Sequence, residues 1–148
     1  MAIHFTKKEL SKRKKNVLEI MKEKNLDALL MFRQESMYYL TGYDTFGYVF
    51  FQTLVLDKNG NIILLTRAPD LRQAQNTSNI EDIRIWVDED GINPTDNLKQ
   101  ILNELDLKNK NIGIEYEAYG MTGRNALRLN KSLENYCNFE DQSELITK

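Results

Sequence analysis

Asp57-Lys58-Asn59-Gly60 stands between two apolar runs, Tyr48 to Leu56 and Asn61 to Thr66. Asn-Gly supplies the positive φ angles that a tight hairpin turn demands, and both flanking runs are rich in β-branched or aromatic residues. The segment is therefore predicted to close as an antiparallel hairpin. That turn constrains the whole chain. Any sheet built around it contains antiparallel pairing, so a purely parallel α/β architecture is excluded.

The rest of the pattern alternates. Thr6 with Glu9 three residues later is a capping-box signature, and Leu10, Val17, Leu18 and Met21 recur at helical spacing, which predicts a helix over 7–24. Asp27 to Phe32 reads as a short buried strand. Residues 34–40 form a short helix stopped at Thr41-Gly42. A further helix separates the hairpin from the next strand, in which Ile83, Ile85 and Val87 alternate with Arg84 and Trp86 to give two different faces. Asn93-Pro94 is a cap followed by proline at the first helical position, and Leu98, Ile101, Leu102 and Leu105 continue a helix over 94–105. Ile112 to Tyr116 is another buried strand. A helix over 122–134 follows, with Leu127 and Leu133 expected inward, and a last short strand is expected over 138–141. Strands alternating with helices imply a three-layer α/β/α domain, a mixed central sheet of five or six strands covered on both faces.

Composition narrows the function classes. The chain has 148 residues, 41% hydrophobic and 28% charged, with a net charge of −2. A domain of that length buries roughly two-thirds of its unfolded surface and needs no covalent staple. One cysteine, Cys137, excludes an internal disulfide and every multi-cysteine zinc site; one histidine, His4, excludes any two-histidine site. A Cys137–His4 pair is formally possible, but a lone cysteine is ordinarily a small buried hydrophobe. No apolar run reaches the ~18 residues of a membrane span. Met1 to Phe5 leads into charge and not into a signal core, so a cytoplasmic protein with no membrane partner is expected. From Lys7 to Lys24 eight Lys or Arg face three Glu, a local charge of +5 that leaves −7 elsewhere. Aromatics are not interleaved there as single-strand binding requires, so a solvated helix face is the expectation, with no nucleic-acid partner.

The chemistry-bearing residues form no complete catalytic set. Thr41 to Tyr48 carries two glycines, three aromatics and Asp44, a composition suited to a pocket wall or to a loop capping the core. Its G-x-x-x-x-G spacing is followed by Tyr48 where a phosphate loop needs Lys, and no G-x-G-x-x-G occurs. Asp88-Glu89-Asp90-Gly91 lacks the alternating oxygen ligands of a calcium loop and reads as a solvated turn. Glu115 and Glu117 share one strand face and read as exposed strand-end glutamates, having no third partner for acid–base work. Arg67 is expected to pair with a carboxylate of the protein itself. No serine sits in a nucleophile elbow.

In combination, Asn25-Leu26-Asp27-Ala28-Leu29-Leu30, Tyr38-Tyr39-Leu40-Thr41-Gly42-Tyr43, the hairpin, Leu65-Thr66-Arg67 and Ile112-Gly113-Ile114-Glu115 resemble the N-terminal domain of the creatinase/prolidase/aminopeptidase P family, the pita-bread metallopeptidases. The resemblance covers essentially the whole chain, read as a single domain over 1–148. It implies a ribonuclease H-like topology. It also implies a C-terminal catalytic domain, absent here, in which two Asp, one His and two Glu hold two divalent metal ions that hydrolyse Xaa-Pro bonds. None of that set is matched by this chain, whose sole histidine precedes the first helix, and no cofactor and no catalytic residue are expected in it. The implied role is non-catalytic: contact with its own catalytic domain, homodimer contacts, and a substrate-pocket rim from the segment after the Tyr-Leu-Thr-Gly motif, by position Tyr43, Asp44, Phe46 and Tyr48. Phe50 falls near the place where creatinases carry an arginine, which counts against a strict creatinase. Gly42-Tyr43-Asp44 is also similar to members acting on ectoine-like molecules. A stand-alone binding or dimerisation module, and the N-domain of a creatinase- or ectoine-hydrolase-like protein, are the alternatives.

Overall fold

The computed structural model describes residues 6–44, 51–87 and 89–146. In chain order the elements are α1 (Lys7–Glu23), β1 (Ala28–Met31), α2 (Gln34–Thr41), β2 (Thr53–Asp57), β3 (Ile62–Arg67), a 3-10 turn (Ala68–Asp70), α3 (Leu71–Thr77), β4 (Asp82–Trp86), α4 (Pro94–Glu104), β5 (Asn111–Ile114), α5 (Gly123–Leu133) and β6 (Asn138–Asp141). The six strands form one mixed sheet in the order β4-β3-β2-β1-β5-β6. Only the pairings of β2 with its two neighbours are antiparallel; β3 with β4, β1 with β5 and β5 with β6 are parallel. The expected three-layer α/β/α architecture is therefore present, with all six strands.

The hairpin closes as expected, but by a different turn. Gly60 N–H donates to the Asp57 carbonyl (3.0 Å) and Asp57 N–H to the Asn61 carbonyl (3.1 Å). Gly60 takes φ +89° while Asn59 keeps a negative φ. This is a three-residue loop with glycine at the bulge position, not a two-residue turn with both central residues left-handed. The Asp57 carboxylate is the reason: it accepts from Asn59 N–H (3.1 Å), Asn61 N–H (2.8 Å) and Asn61 Nδ2 (2.9 Å) and holds the loop in that form.

Two helix ends are built alike. Asn25 (φ +58°) and Asp106 (φ +56°) are left-handed residues just beyond α1 and α4. After α1, Leu26 N–H reaches the Met21 carbonyl (2.9 Å) and Asn25 N–H the Lys22 carbonyl (3.2 Å). After α4, Leu107 N–H reaches Leu102 (3.0 Å) and Asp106 N–H reaches Asn103 (3.1 Å). Both are Schellman motifs, and each delivers a leucine, Leu26 or Leu107, into the core. At the N-termini Thr6 Oγ1 accepts from Glu9 N–H (3.1 Å) and Asn93 caps Thr95 N–H (3.1 Å). The Glu9 carboxylate takes Arg13 (2.6 Å).

Strand alternation divides the core between the two sheet faces. Leu30, Val55, Ile63, Leu65, Ile112 and Ile114 pack with Leu98, Ile101 and Leu102 of α4 and Leu129 and Leu133 of α5. Leu29, Met31, Leu54, Leu56 and Leu64 pack with Val17 and Met21 of α1, Met37 and Leu40 of α2 and Ala74 of α3. Leu127 is not inward as expected; it is 72% exposed. Leu129 and Leu133, one turn apart, and the half-buried Ala126 set the inward stripe of α5, and Leu127 lies about 100° around the helix from Ala126. Among the described residues no helix is long and apolar enough to cross a membrane.

Gly113, between Leu29 and Glu140 in the sheet, has no room for a side chain. A Cβ there would stand 2.8 Å from Gln142 Cγ and 3.1 Å from Leu26 Cδ1. Gly113→Ala is expected to destabilise the domain by about 1–3 kcal/mol through overpacking. In urea titrations the midpoint should fall with the slope unchanged.

Candidate functional site

Because β2 alone runs against the others, the C-terminal ends of β1, β3, β4, β5 and β6 lie along one edge of the sheet, beside the start of β2. β1 continues into α2 on one face, whereas β5 leads to α5 on the other. Connections that diverge to opposite faces leave a crevice at the strand ends, the usual place for a site in an open α/β sheet. The crevice is present as a groove of about 510 Å³ whose lining includes Arg33, Glu35, Glu117, Tyr119 and Glu144.

Glu115 lies under this edge and overturns one expectation. It is not an exposed strand-end carboxylate; it is fully buried, while Glu117 is exposed. The pair therefore does not share a site. Glu115 Oε1 accepts from Phe32 N–H (3.1 Å) and Arg33 N–H (3.0 Å), and Oε2 accepts from the Ser36 hydroxyl (2.6 Å). Arg33 is the N-cap residue of α2 and has no side-chain cap of its own. Glu115 takes the N-cap N–H, the donor that the third-position Glu of a capping box usually takes, and does so from another strand. Burial pushes its carboxyl up to about 7 from 4.5, against the opposing pull of Ser36, Arg33 and Phe32. Ser143 closes the other side: its Oγ accepts from Tyr116 N–H (3.0 Å) and Glu117 N–H (3.1 Å), and its carbonyl accepts from Arg33 Nη1 (3.4 Å).

Further along the edge lies the segment after α2. Gly42 ends the helix in the left-handed conformation (φ +79°). Tyr43 is fully buried. Its hydroxyl donates to Gln52 Oε1 (2.9 Å) and lies 3.4 Å from Thr66 Oγ1, which also donates to Gln52 (3.1 Å). Asp44 is part-buried, and its N–H donates to Thr77 Oγ1 (3.0 Å). Phe46 and Tyr48, as well as Phe50 and His4, lie outside the described residues. Arg67 stands 3.6 Å from Asp70 across an i,i+3 turn, the protein carboxylate expected for it. Burial raises the Cys137 thiol to about 11, which leaves it protonated and unreactive at neutral pH. Among the described residues no group of three His, Cys, Asp or Glu is placed to hold a metal ion.

Sequence reasoning reached Tyr43 and Asp44 but missed the partners that hold them, Gln52, Thr66 and Thr77, missed Ser143, and read Glu115 as exposed. Gln52, Thr77 and Ser143 are single polar residues with no motif around them, and the motifs that contain Thr66 and Glu115 do not show what those side chains hold. The one available signal was the ending of a buried strand, Ile114-Glu115, where a carboxylate directly follows apolar positions.

A mixed α/β/α sheet with its polar groups gathered at one edge describes many proteins; the comparisons define which. The chain belongs to the Creatinase/Prolidase N-terminal domain family, which it matches over residues 13–148. It is 28% identical over 97% of its length to an uncharacterized hydrolase/peptidase, y4tM, of Sinorhizobium fredii, and it spans only 38% of that relative. The fold is shared with a recombinant prolidase from Thermococcus sibiricus (TM-score 0.76, 17% identity, 93% of this chain and 36% of that one). It is also shared with an Xaa-Pro aminopeptidase chain from Streptococcus pyogenes (TM-score 0.75, 20% identity, 96% and 98%) and with the N-terminal domain of the peptidase PepQ from Mycobacterium tuberculosis (TM-score 0.70, 17% identity, 92% and 96%).

The Glu115 geometry generates a pH prediction. Its folded pKa is raised, so the native state binds more protons than the unfolded chain between about 4.5 and about 7. Its contribution to stability is fully present below that window and is lost as pH rises through 7. The difference in unfolding free energy between wild type and Glu115→Gln should therefore move against wild type by a few kcal/mol from pH 5 to pH 8. Glu115→Ala strands two amides and a hydroxyl and should cost about 2–4 kcal/mol at pH 5.5. Chemical denaturation at the two pH values measures both.

Proposed function

We propose that this chain is the non-catalytic N-terminal domain of an Xaa-Pro dipeptidase- or aminopeptidase P-like metallohydrolase, contributing homodimer contacts and the rim of a substrate pocket. The observation that carries the reading is the family match over 13–148 together with a chain that covers 38% of its hydrolase/peptidase relative. The likeness in fold to a prolidase and to an Xaa-Pro aminopeptidase supports the same substrate class. Bond breaking is assigned to two divalent metal ions in the catalytic domain and not to this chain. A cytoplasmic location goes with the reading.

On this reading Tyr43, Asp44, Phe46 and Tyr48 shape the rim. Tyr43 does so from inside: anchored on Gln52 and Thr66, it fixes where the following segment starts. Asp44, part-buried and tied through its backbone to Thr77, offers a carboxylate at the start of that segment. Such residues limit the length of a bound peptide and exclude water.

The test uses the gene product together with whatever coding sequence follows Lys148. That sequence should supply two Asp, one His and two Glu in the family order. In that polypeptide Asp44→Ala and Tyr48→Ala should raise KM for Xaa-Pro substrates by about tenfold, the effect of one lost pocket contact, and leave kcat largely unchanged. Unchanged kinetics in both variants removes the rim role. The 148-residue chain alone should not cleave Xaa-Pro dipeptides with added divalent metal. Cleavage by that chain, or stoichiometric tight binding of two such ions in calorimetry, overturns the assignment.

A further inference from the structure

The first turn of α2 is held from outside the helix by one group. Phe32 N–H, Arg33 N–H and the Ser36 hydroxyl all converge on the Glu115 carboxyl. The far half of the helix has other fastenings. Arg13 Nη1 donates to the Tyr39 carbonyl (3.0 Å), Asn79 N–H donates to the Thr41 carbonyl (3.3 Å), and Met37 and Leu40 pack on the sheet. Those fastenings involve no carboxyl. The start of α2 thus depends on the state of Glu115 in a way that its end does not.

Little positive charge is set against that carboxyl. Among the described residues no cationic side chain bonds to it. Arg33 favours the ionised form only from a distance, since its guanidinium goes to the Glu35 carboxylate (3.1 Å) and the Ser143 carbonyl (3.4 Å). The other charges around the site are mostly negative. Lys24, just past α1, lines a groove together with Glu117, Asp141 and Glu144. Tyr116, next in the chain, is neutral, burial raising its hydroxyl to about 12, and it donates to Asn130 of α5. Ser36 accommodates an uncharged Glu115. Its Oγ lies 2.6 Å from Oε2, a separation that suits a hydroxyl–carboxyl bond in either direction. With the proton on Oε2 the carboxyl donates to Ser36; without it Ser36 donates to the carboxylate. The closed turn therefore fits the neutral carboxyl, whereas a buried charge gains by reaching water. Water is close, because Arg33 and Glu35 line the 510 Å³ groove at the strand ends.

We infer that the first turn of α2 is a proton-operated latch, closed over neutral Glu115 and opened by loss of its proton, which reshapes the groove lined by Arg33 and Glu35. The proton passes to water or buffer, and no bond between heavy atoms changes. The latch uses only contacts within this chain, so it goes beyond the proposed function and does not depend on it.

Amide exchange of the native 148-residue chain, followed by NMR, tests the latch. In the open turn the Glu115 carboxyl has its ordinary value of 4.5, and in the closed turn about 7, so opening releases a proton between those values. Protection of the Phe32 and Arg33 amides, corrected for intrinsic exchange, should fall on the order of 100-fold from pH 5 to pH 8. These amides should open with a smaller free energy than those of Leu54 and Val55, and at urea concentrations that leave the sheet closed. The Glu115 carboxyl carbon should titrate near 7. Glu115→Gln accepts the same amides and donates to Ser36, so its protection should stay level over that range. Ser36→Ala removes a bond that favours the ionised form and should move the midpoint to higher pH, a shift that a purely structural serine does not produce. First-turn amides that open only together with Leu54 and Val55 overturn the latch. So does a Glu115 titration in the ordinary carboxylate range, or a pH dependence that survives Glu115→Gln. The proposed function stands or falls separately, by its own kinetics.

Discussion

A single buried carboxylate fixes the edge on which the rest depends. Glu115 sits at the end of β5 and holds the amides of Phe32 and Arg33 and the hydroxyl of Ser36. Its own N–H bonds to the Leu30 carbonyl (3.0 Å), so backbone and side chain together clamp β5 to the corner where β1 becomes α2. α2 has only eight residues, too few to be stable by propensity, and its N-cap residue has no side-chain cap. The helix is held by what surrounds it: Glu115 at its start, Met37 and Leu40 against the sheet, and Arg13 Nη1 on the Tyr39 carbonyl (3.0 Å) near its end. From there the chain of constraint is short. Gly42 turns it, Tyr43 is bolted to Gln52 and Thr66, and Asp44 hangs on Thr77. The placement of Tyr43 and Asp44 is thus tied through α2 to a carboxylate at the other end of that helix. That arrangement costs stability when the carboxyl is ionised, because burial disfavours the charged form, while two amides and a hydroxyl bond to it.

What could be read from the sequence was whatever a local pattern encodes. Spacing alone located α1 and α4, Asn93-Pro94 located a helix start, and Asn59-Gly60 located the hairpin. Where the answer depended on packing, local pattern was insufficient. Leu127, Leu129 and Leu133 occupy one helix, and only the position of the sheet decides that the first faces solvent. Asn59 carries a residue type that tolerates positive φ, yet three hydrogen bonds to the Asp57 carboxylate make that conformation unnecessary. Glu115 differs from Glu117 in nothing local; one lies under α2 and the other beyond the sheet. The candidate site divides in the same way. Tyr43 and Asp44 stood out by composition, but the residues that give them a fixed position come from β2, β3 and α3 and form no motif with them.

Polar and apolar groups are divided along the sheet's long axis. A recognition edge needs buried polar groups with fixed partners, since each unsatisfied one in a low-dielectric site is costly. The strand-end edge has such partners for Glu115, Ser143 and Thr66, whereas Gln52 uses only its Oε1, its Nε2 having no partner among the described residues. Exposed apolar side chains stand instead at β4 and just beyond it, where Ile85 and Val87 face solvent. The two meet at one bond. Trp86 at the end of β4 reaches across β3 to donate from Nε1 to the Phe51 carbonyl (2.9 Å), and Phe51 packs edge-on against Phe32 with ring centres 5.3 Å apart. Phe51 immediately follows the segment carrying Phe46 and Tyr48, and Phe32 donates to Glu115. Phe51 thus ties the end of β4 to Phe32, whose N–H is held by Glu115. Any displacement of β4 is passed on to Phe51 because the indole N–H, buried with its ring, has no solvent to turn to.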